Sequence, residues 1–451
     1  MEILEEDYFK ATVFKKLAHI LWRRWYRQGS FGQTLGLSTL KTADLAPLWG
    51  LLGVPSYEQA QKKSISVSLL DEALRCSRFR STLEKLVETL EGKQLTTKKE
   101  VEEKEAAQYR AFVADLQRMA PVVAKHLTEN ECRQWCQWFK QQDDTVRWQP
   151  FLLVENAWKN IPTTITRIPF YAYTLCGNPH ALDGQEVAGR LLRQTLYNAY
   201  EMVDTVSTDD EMAHLTGEQE NIQEMTPTEK ENNLLLRFNL VKDDTLNFVA
   251  IQGLIATNGA GDEHPLWQAA VDTKTAWQVS LKQILEMATI QPARGKAVVL
   301  VENAGVYSML SDVYPTLPLV CTAGQFTYAV WMLLRKLVAS GCTLYYSGDM
   351  DVMGLVMAQR LRDRFPKAVR YLAMNTEVYI AHALPRNDVY DEMTVKRLQC
   401  IKDCTLQPIA DAIMKSGKVV YQEGIIESII HEIKSALVCD GWKSIDKACV
   451  L

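Results

Sequence analysis

The spacing of apolar residues changes character along the chain. In residues 9–28, Phe9, Val13, Leu17, Ile20, Leu21 and Trp25 share one helical face, and Gly29 supplies the stop. The other face carries Lys16, His19, Arg23 and Arg27. A basic stripe of this kind is ordinarily a solvated face, and its functional alternative is contact with a nucleic-acid backbone. Helical patterns continue at residues 43–52 and 66–90. Residues 95–124 start with a dense mixture of charges and read as an exposed helix or projecting arm. Thr128 and Glu131 have capping-box spacing ahead of a helix bearing Trp135, Trp138 and Phe139.

More helices are expected over residues 148–200, interrupted by a turn containing Cys176, Gly177, Asn178, Pro179 and His180. Asp183 and Glu186 again have capping-box spacing. His180 beside Asp183 reads as a structural hydrogen-bonder ahead of a catalytic pair. The stretch 204–233 is acidic and poor in apolar residues, the composition of a flexible loop. Strand-like runs follow at Leu234-Leu235-Leu236 and Phe248-Val249-Ala250-Ile251, and a helix at 273–287.

The pattern is sharpest over residues 296–361. An apolar run, Ala297-Val298-Val299-Leu300-Val301, stops at Glu302. A helix is expected from near Thr322. A second run, Cys342-Thr343-Leu344-Tyr345-Tyr346, stops at Ser347-Gly348-Asp349-Met350-Asp351, and a further helix covers 355–365. Two β-rich runs joined by a helix-length connection predict parallel strands of one sheet. Chemistry in such sheets collects at the carboxyl ends of the strands, where this sequence places three carboxylates. The division this suggests is a helical region over 1–142, a central region over 143–290 and an α/β domain over 291–451.

Composition changes this picture little. With 451 residues, 47% apolar and 23% charged, the chain has the make-up of a multi-domain globular protein, and its net charge of -5 does not announce a nucleic-acid binder. No apolar run approaches the roughly 18 residues of a membrane span. The acidic start has no signal-peptide pattern. Ten cysteines in so long a chain are too dilute for a disulfide framework, which points to a reducing cytoplasm. Cys132/Cys136 and Cys400/Cys404 read as core residues rather than halves of a zinc site. The terminal Ala448-Cys449-Val450-Leu451 places its cysteine one position too late for prenylation.

A hard cation such as Mg²⁺ takes oxygen ligands and keeps several waters, so Glu302, Asp349 and Asp351 suffice to hold one. Gly348 and Gly354 allow close backbone approach. Each acid alone is better explained as a helix cap. Their joint placement at two strand ends reverses that balance. Thr322, Gly324 and Gln325 offer N–H groups to a phosphate, or Thr322 simply caps a helix. Arg360, Arg364 and Lys367 are candidates for the DNA backbone or a solvated face.

The arrangement of Glu302 with Asp349 and Asp351 resembles the Toprim domain of topoisomerases, primases and certain nucleases. The wider set is similar to the JetD family of Wadjet plasmid-defence nuclease subunits: Val301-Glu302-Asn303, Val320-Cys321-Thr322-Ala323-Gly324-Gln325, Tyr346 through Leu355, Tyr421-Gln422-Glu423, and upstream Gly177 through Asp183 and Gly29-Ser30-Phe31-Gly32. Ser347, Met350, Val352 and Met353 stand where the family tends to have His, Phe and Trp-Pro; none of the carboxylates is replaced. The resemblance implies a C-terminal Toprim domain, a winged-helix part upstream, and a homodimer similar to the topoisomerase VI A subunit. It also implies Mg²⁺- or Mn²⁺-dependent cleavage of circular double-stranded DNA beside an SMC-type ATPase, kleisin and accessory subunits. The alternatives are a non-catalytic DNA-binding scaffold, or strand cleavage through a tyrosine such as Tyr171, Tyr173, Tyr197 or Tyr200.

Overall fold

The computed structural model describes residues 7–40, 43–59, 61–204, 225–385 and 391–439. The chain divides into two compact units, one comprising residues 1–124 and 128–143, the other residues 125–127 and 144–451.

The first unit is helical around its own core. Helix α1 (Thr12–Gln28) buries Val13, Phe14, Leu17, Ala18 and Leu21, and ends on Gly29 in the left-handed region at φ 68°. The expected stripe is displaced by part of a turn, since Ile20 and Trp25 are only partly buried. Residues 66–90 form two helices, Val67–Cys76 and Leu83–Glu91. The charged segment is a 22-residue helix, Lys98–Met119, burying only Phe112 and Leu116. The Thr128/Glu131 capping box forms, and Cys132 and Cys136 are buried in the helix it opens.

The second unit begins with the helices Gln149–Lys159, Ile168–Cys176 and Val187–Asp204. Asp183 and Glu186 make no capping box. Asp183 instead pairs with exposed His180 at 3.0 Å, and the helix starts at Val187. The acidic stretch is shorter than its composition suggests. Thr226, Pro227 and Glu229 build a capping box for α2 (Pro227–Arg237), with proline where its missing N–H costs nothing. That cap draws Leu234-Leu235-Leu236 into a helix rather than a strand. Residues 205–224 of the stretch lie outside the described residues, as does the chain terminus.

Six strands form the central sheet: β1 (Phe248–Gln252), β2 (Trp277–Ser280), β3 (Ala297–Val301), β4 (Leu319–Cys321), β5 (Thr343–Ser347) and β6 (Val369–Tyr371). Their order is β6-β5-β3-β4-β1-β2. The first four are mutually parallel, while β1 and β2 join antiparallel, so the sheet is mixed rather than purely parallel. The correction at 273–287 has the same origin. Trp277 and Val279 alternate with Gln278 and Ser280 and pair with β1, leaving helix only at Leu281–Glu286.

Every residue of β3 is buried, as a central parallel strand covered on both faces requires. Helices α3 (Ala304–Val313), α4 (Tyr328–Ala339) and α5 (Val352–Arg364) connect the parallel strands. The helix expected from near Thr322 begins at Tyr328, and helix α3 and strand β4, which were not predicted, precede it. Helix α6 (Glu392–Gln399) follows, and Cys400 and Cys404 beyond it are exposed rather than part of the core. Among the described residues no helix is long and apolar enough to cross a membrane.

Candidate functional site

Strand β3 leads to β4 on one side, and β5, which pairs with the other side of β3, leads on to β6. The connections after β3 and β5 therefore depart in opposite directions, the kind of switch point at which α/β sheets bind ligands. Ser347 is in register with Val301. The next residues, Gly348 and Glu302, consequently emerge side by side at about the 4.8 Å spacing of paired strands.

Glu302 Oε2 accepts the Asp349 backbone N–H at 3.3 Å. The approach depends on Gly348, where a Cβ would lie 2.8 Å from Glu302 Oε2 and 2.7 Å from the Tyr346 hydroxyl. Gly354 is equally constrained, since a Cβ there would lie 2.0 Å from the Asp349 carbonyl oxygen. Asp351 caps α5 by accepting the Gly354 N–H at 2.8 Å. A distant segment completes the cluster. Asp349 Oδ1 accepts the Gln422 N–H at 2.7 Å, while Gln422 Oε1 accepts the Asn303 N–H at 2.9 Å. Asn303 Nδ2 donates to Glu423 Oε1 at 2.6 Å, and Met350 bridges to Val420. Gln422, itself fully buried, thus ties the loop after β3 to the loop after β5.

The electrostatics reflect this crowding. Burial first, then the charge of Asp349 and more weakly that of Asp351, lifts Glu302 to about 7, against the opposing N–H of Asp349. Asp349 is also raised, chiefly by burial, with the Gln422 N–H opposing and Asp351 and Glu423 adding to the rise. Buried Tyr346 is held neutral by burial and by the neighbouring acids. Repelling carboxylates are what a divalent cation relieves. Among the described residues no three His, Cys, Asp or Glu side chains form a ready-made cage. The donor set fits a hard, water-rich cation of the Mg²⁺ type, which binds through a few carboxylates plus substrate oxygens.

The remaining candidates fare differently. Thr322 is buried and starts no helix. Its N–H donates to Val301 O at 2.9 Å, Gly324 N–H to Glu302 O at 3.3 Å, and Thr327 caps α4 instead. Ala323 and Gly324 both have positive φ, which folds this loop back onto the end of β3, and Gln325 is exposed on it. Arg360 and Arg364 face inward. Both bind the buried carboxylate of Glu229 from α2, and both guanidiniums lie over the Trp331 ring. Lys367 is exposed, but it precedes β6 and so sits toward the amino ends of the parallel strands, away from the acids. Arg23 and Arg27 are exposed on α1 of the first unit, with Lys16 partly buried. Tyr171 is buried against the Ala157 carbonyl, whereas Tyr173 and Tyr197 are exposed and Tyr200 lies under Arg237. Sequence reasoning gave no role to Gln422, Glu423, Asn303 or Tyr346. Only the similarity carried by Tyr421-Gln422-Glu423 pointed toward that segment.

Residues 31–256, just over half of the chain, match the family model described as "Protein of unknown function N-terminus (DUF3323)". The chain belongs to this family. Residues 277–433 match a second model, "Protein of unknown function C-terminus (DUF2399)". The DUF2399 segment contains Glu302, Asp349, Asp351, Gln422 and Glu423, hence the whole acid cluster. The basic stripe on α1 precedes the DUF3323 match. No curated protein matches the chain.

Proposed function

We propose that this DUF3323/DUF2399 chain is a divalent-cation-dependent DNA endonuclease subunit that hydrolyses phosphodiesters at Glu302, Asp349 and Asp351. The observation that carries the reading is the approach of Glu302 to the Asp349 backbone N–H at the carboxyl ends of two adjacent parallel strands, where strand connections diverge. In this reading the C-terminal α/β unit is a Toprim domain and the central helices include a winged-helix part. The chain is then the JetD-type subunit of a Wadjet plasmid-defence system. It acts in the cytoplasm as a homodimer on closed circular double-stranded DNA, with an SMC-type ATPase, kleisin and accessory subunits as partners.

Bound Mg²⁺ or Mn²⁺ would supply Lewis-acid stabilisation of charge on the phosphate and on the attacking oxygen. The protein's own contribution is placement and proton handling. Asp349, oriented by the Gln422 N–H, and Asp351, oriented by the first turn of α5, present carboxylate oxygens from fixed backbone. Without a cation, Glu302 has a pKa of about 7 and holds a proton about half the time at neutrality. It is suited to exchange one with water or with the departing 3′ or 5′ oxygen. Water is the nucleophile in this scheme, and Tyr171 is too enclosed to serve.

Incubation of purified protein, alone and with its ATPase partners, with closed circular plasmid and Mg²⁺ or Mn²⁺ tests the proposal. Nicked or linear product should appear, and Glu302→Gln or Asp349→Asn should lower the rate by at least about a thousandfold. Undiminished cleavage by either variant, or a covalent protein–DNA adduct, would rule the mechanism out.

A further inference from the structure

A cluster holding Glu302, Asp349, Asp351 and Glu423 repels a polyanion, so a nucleic-acid backbone approaching it needs a nearby cation from the protein. Arg360 and Arg364 are engaged by Glu229 and cannot supply it. Helix α6 can. It is fixed alongside α5 by Gln359, whose Nε2 donates to the Cys400 carbonyl at 3.2 Å and whose Oε1 accepts the N–H groups of Lys402 and Asp403.

From α6 the exposed Arg397 reaches back to the first turn of α5. Its Nη1 donates to Met353 Sδ at 3.5 Å and its Nη2 to Met393 Sδ at 3.7 Å. Met353 stands two residues beyond Asp351, the cap of that same turn. Thioether sulfur is a weak acceptor. Among the described residues no carboxylate lies within ion-pair distance of Arg397; Asp391, which accepts the Thr394 N–H at 2.7 Å, attracts it only across a longer gap. The result is a guanidinium held against the first turn of the helix that Asp351 caps, oriented by partners that a phosphate oxygen would readily displace. Its planar fork matches phosphate in a way that lysine does not.

We propose that Arg397 is a substrate-binding residue that holds a backbone phosphate of DNA next to the one cleaved. This rests on the nuclease reading above and assigns to α6 the contact that residue spacing alone gave to α5.

The test is duplex binding by the full-length protein in EDTA, read by fluorescence anisotropy across a salt series, so that cleavage plays no part. Arg397→Ala should weaken binding about tenfold and flatten the slope of log K against log salt by about one unit. Arg397→Lys should retain most of the slope with part of the affinity, and Lys367→Ala should match wild type. Thermal melting should be unchanged in all three. Wild-type affinity and slope in Arg397→Ala, with plasmid cleavage intact in the parent, would overturn the assignment and leave the nuclease reading standing. A parent protein that neither binds nor cuts duplex would remove both.

Discussion

Glu302 couples the geometry of the site to its protonation. Its folded pKa of about 7 lies above the ordinary 4.5, so between these values the folded chain binds a proton that the unfolded chain has released. Stability then falls as pH rises through this window, and the loss is complete above about 7. In a chelating buffer, wild type should lose melting temperature between roughly pH 5 and pH 8 more steeply than Glu302→Gln. The variant should be the more stable of the two at the alkaline end. Parallel curves would mean that neither burial nor the neighbouring carboxylates raise Glu302 as described. Glycines at the same site differ sharply in what surrounds them. Gly354→Ala drives a Cβ to 2.0 Å from the Asp349 carbonyl and should cost about 1–3 kcal/mol together with cleavage. At Gly424, beside Glu423, a Cβ meets nothing within 4 Å, so Gly424→Ala should leave the denaturation midpoint nearly unchanged.

At the scale of elements, α2 and α5 are held together by one buried glutamate and two arginines. Arg364 is fully buried, its guanidinium 4.0 Å from the Trp331 ring centroid, and Glu229 is buried opposite it. Removing the acid takes a carboxylate from fully buried Arg364 and partly buried Arg360, so Glu229→Ala should destabilise the second unit by about 3–5 kcal/mol, measured by urea denaturation. A loss below about 1 kcal/mol would show the cluster to be open to water. This triad also explains why part of the sequence misled. Arg360 and Arg364 have the spacing of a basic helix face, and nothing nearby in the chain announces that Glu229, more than a hundred residues earlier, covers it. Leu234-Leu235-Leu236 has no periodicity of its own. Its helix is set by the Thr226/Glu229 cap upstream. By contrast β3 and β5 were legible because continuous apolar runs ending at glycine and acids have few other structural uses.

For the whole molecule, what was legible is what is local. Helix α1 with its glycine stop, the Thr128 capping box and the central parallel strands each carry their signal within a dozen residues. Strand β1 was legible in its own residues, but its antiparallel pairing, the strand β2, the return of residues 418–425 to the site and the role of Gln422 depend on contacts across many tens of residues. The acids stand out as candidates because they follow closely on the ends of two strands. The residues that orient them were missed because Gln422 lies 73 residues from the Asp349 it holds and 119 from Asn303.

The central claim is that Glu302, Asp349 and Asp351 serve a single cation-binding site, and calorimetric titration of the full-length protein with Mn²⁺ near neutral pH tests it most directly. Wild type should bind with release of protons from the cluster, since Glu302 is partly protonated there. Glu302→Gln, Asp349→Asn and Asp351→Asn should each weaken that binding by at least about tenfold while retaining the wild-type fold. Wild-type Mn²⁺ affinity in any one of the three, or no binding by the parent with or without duplex DNA, would contradict the account.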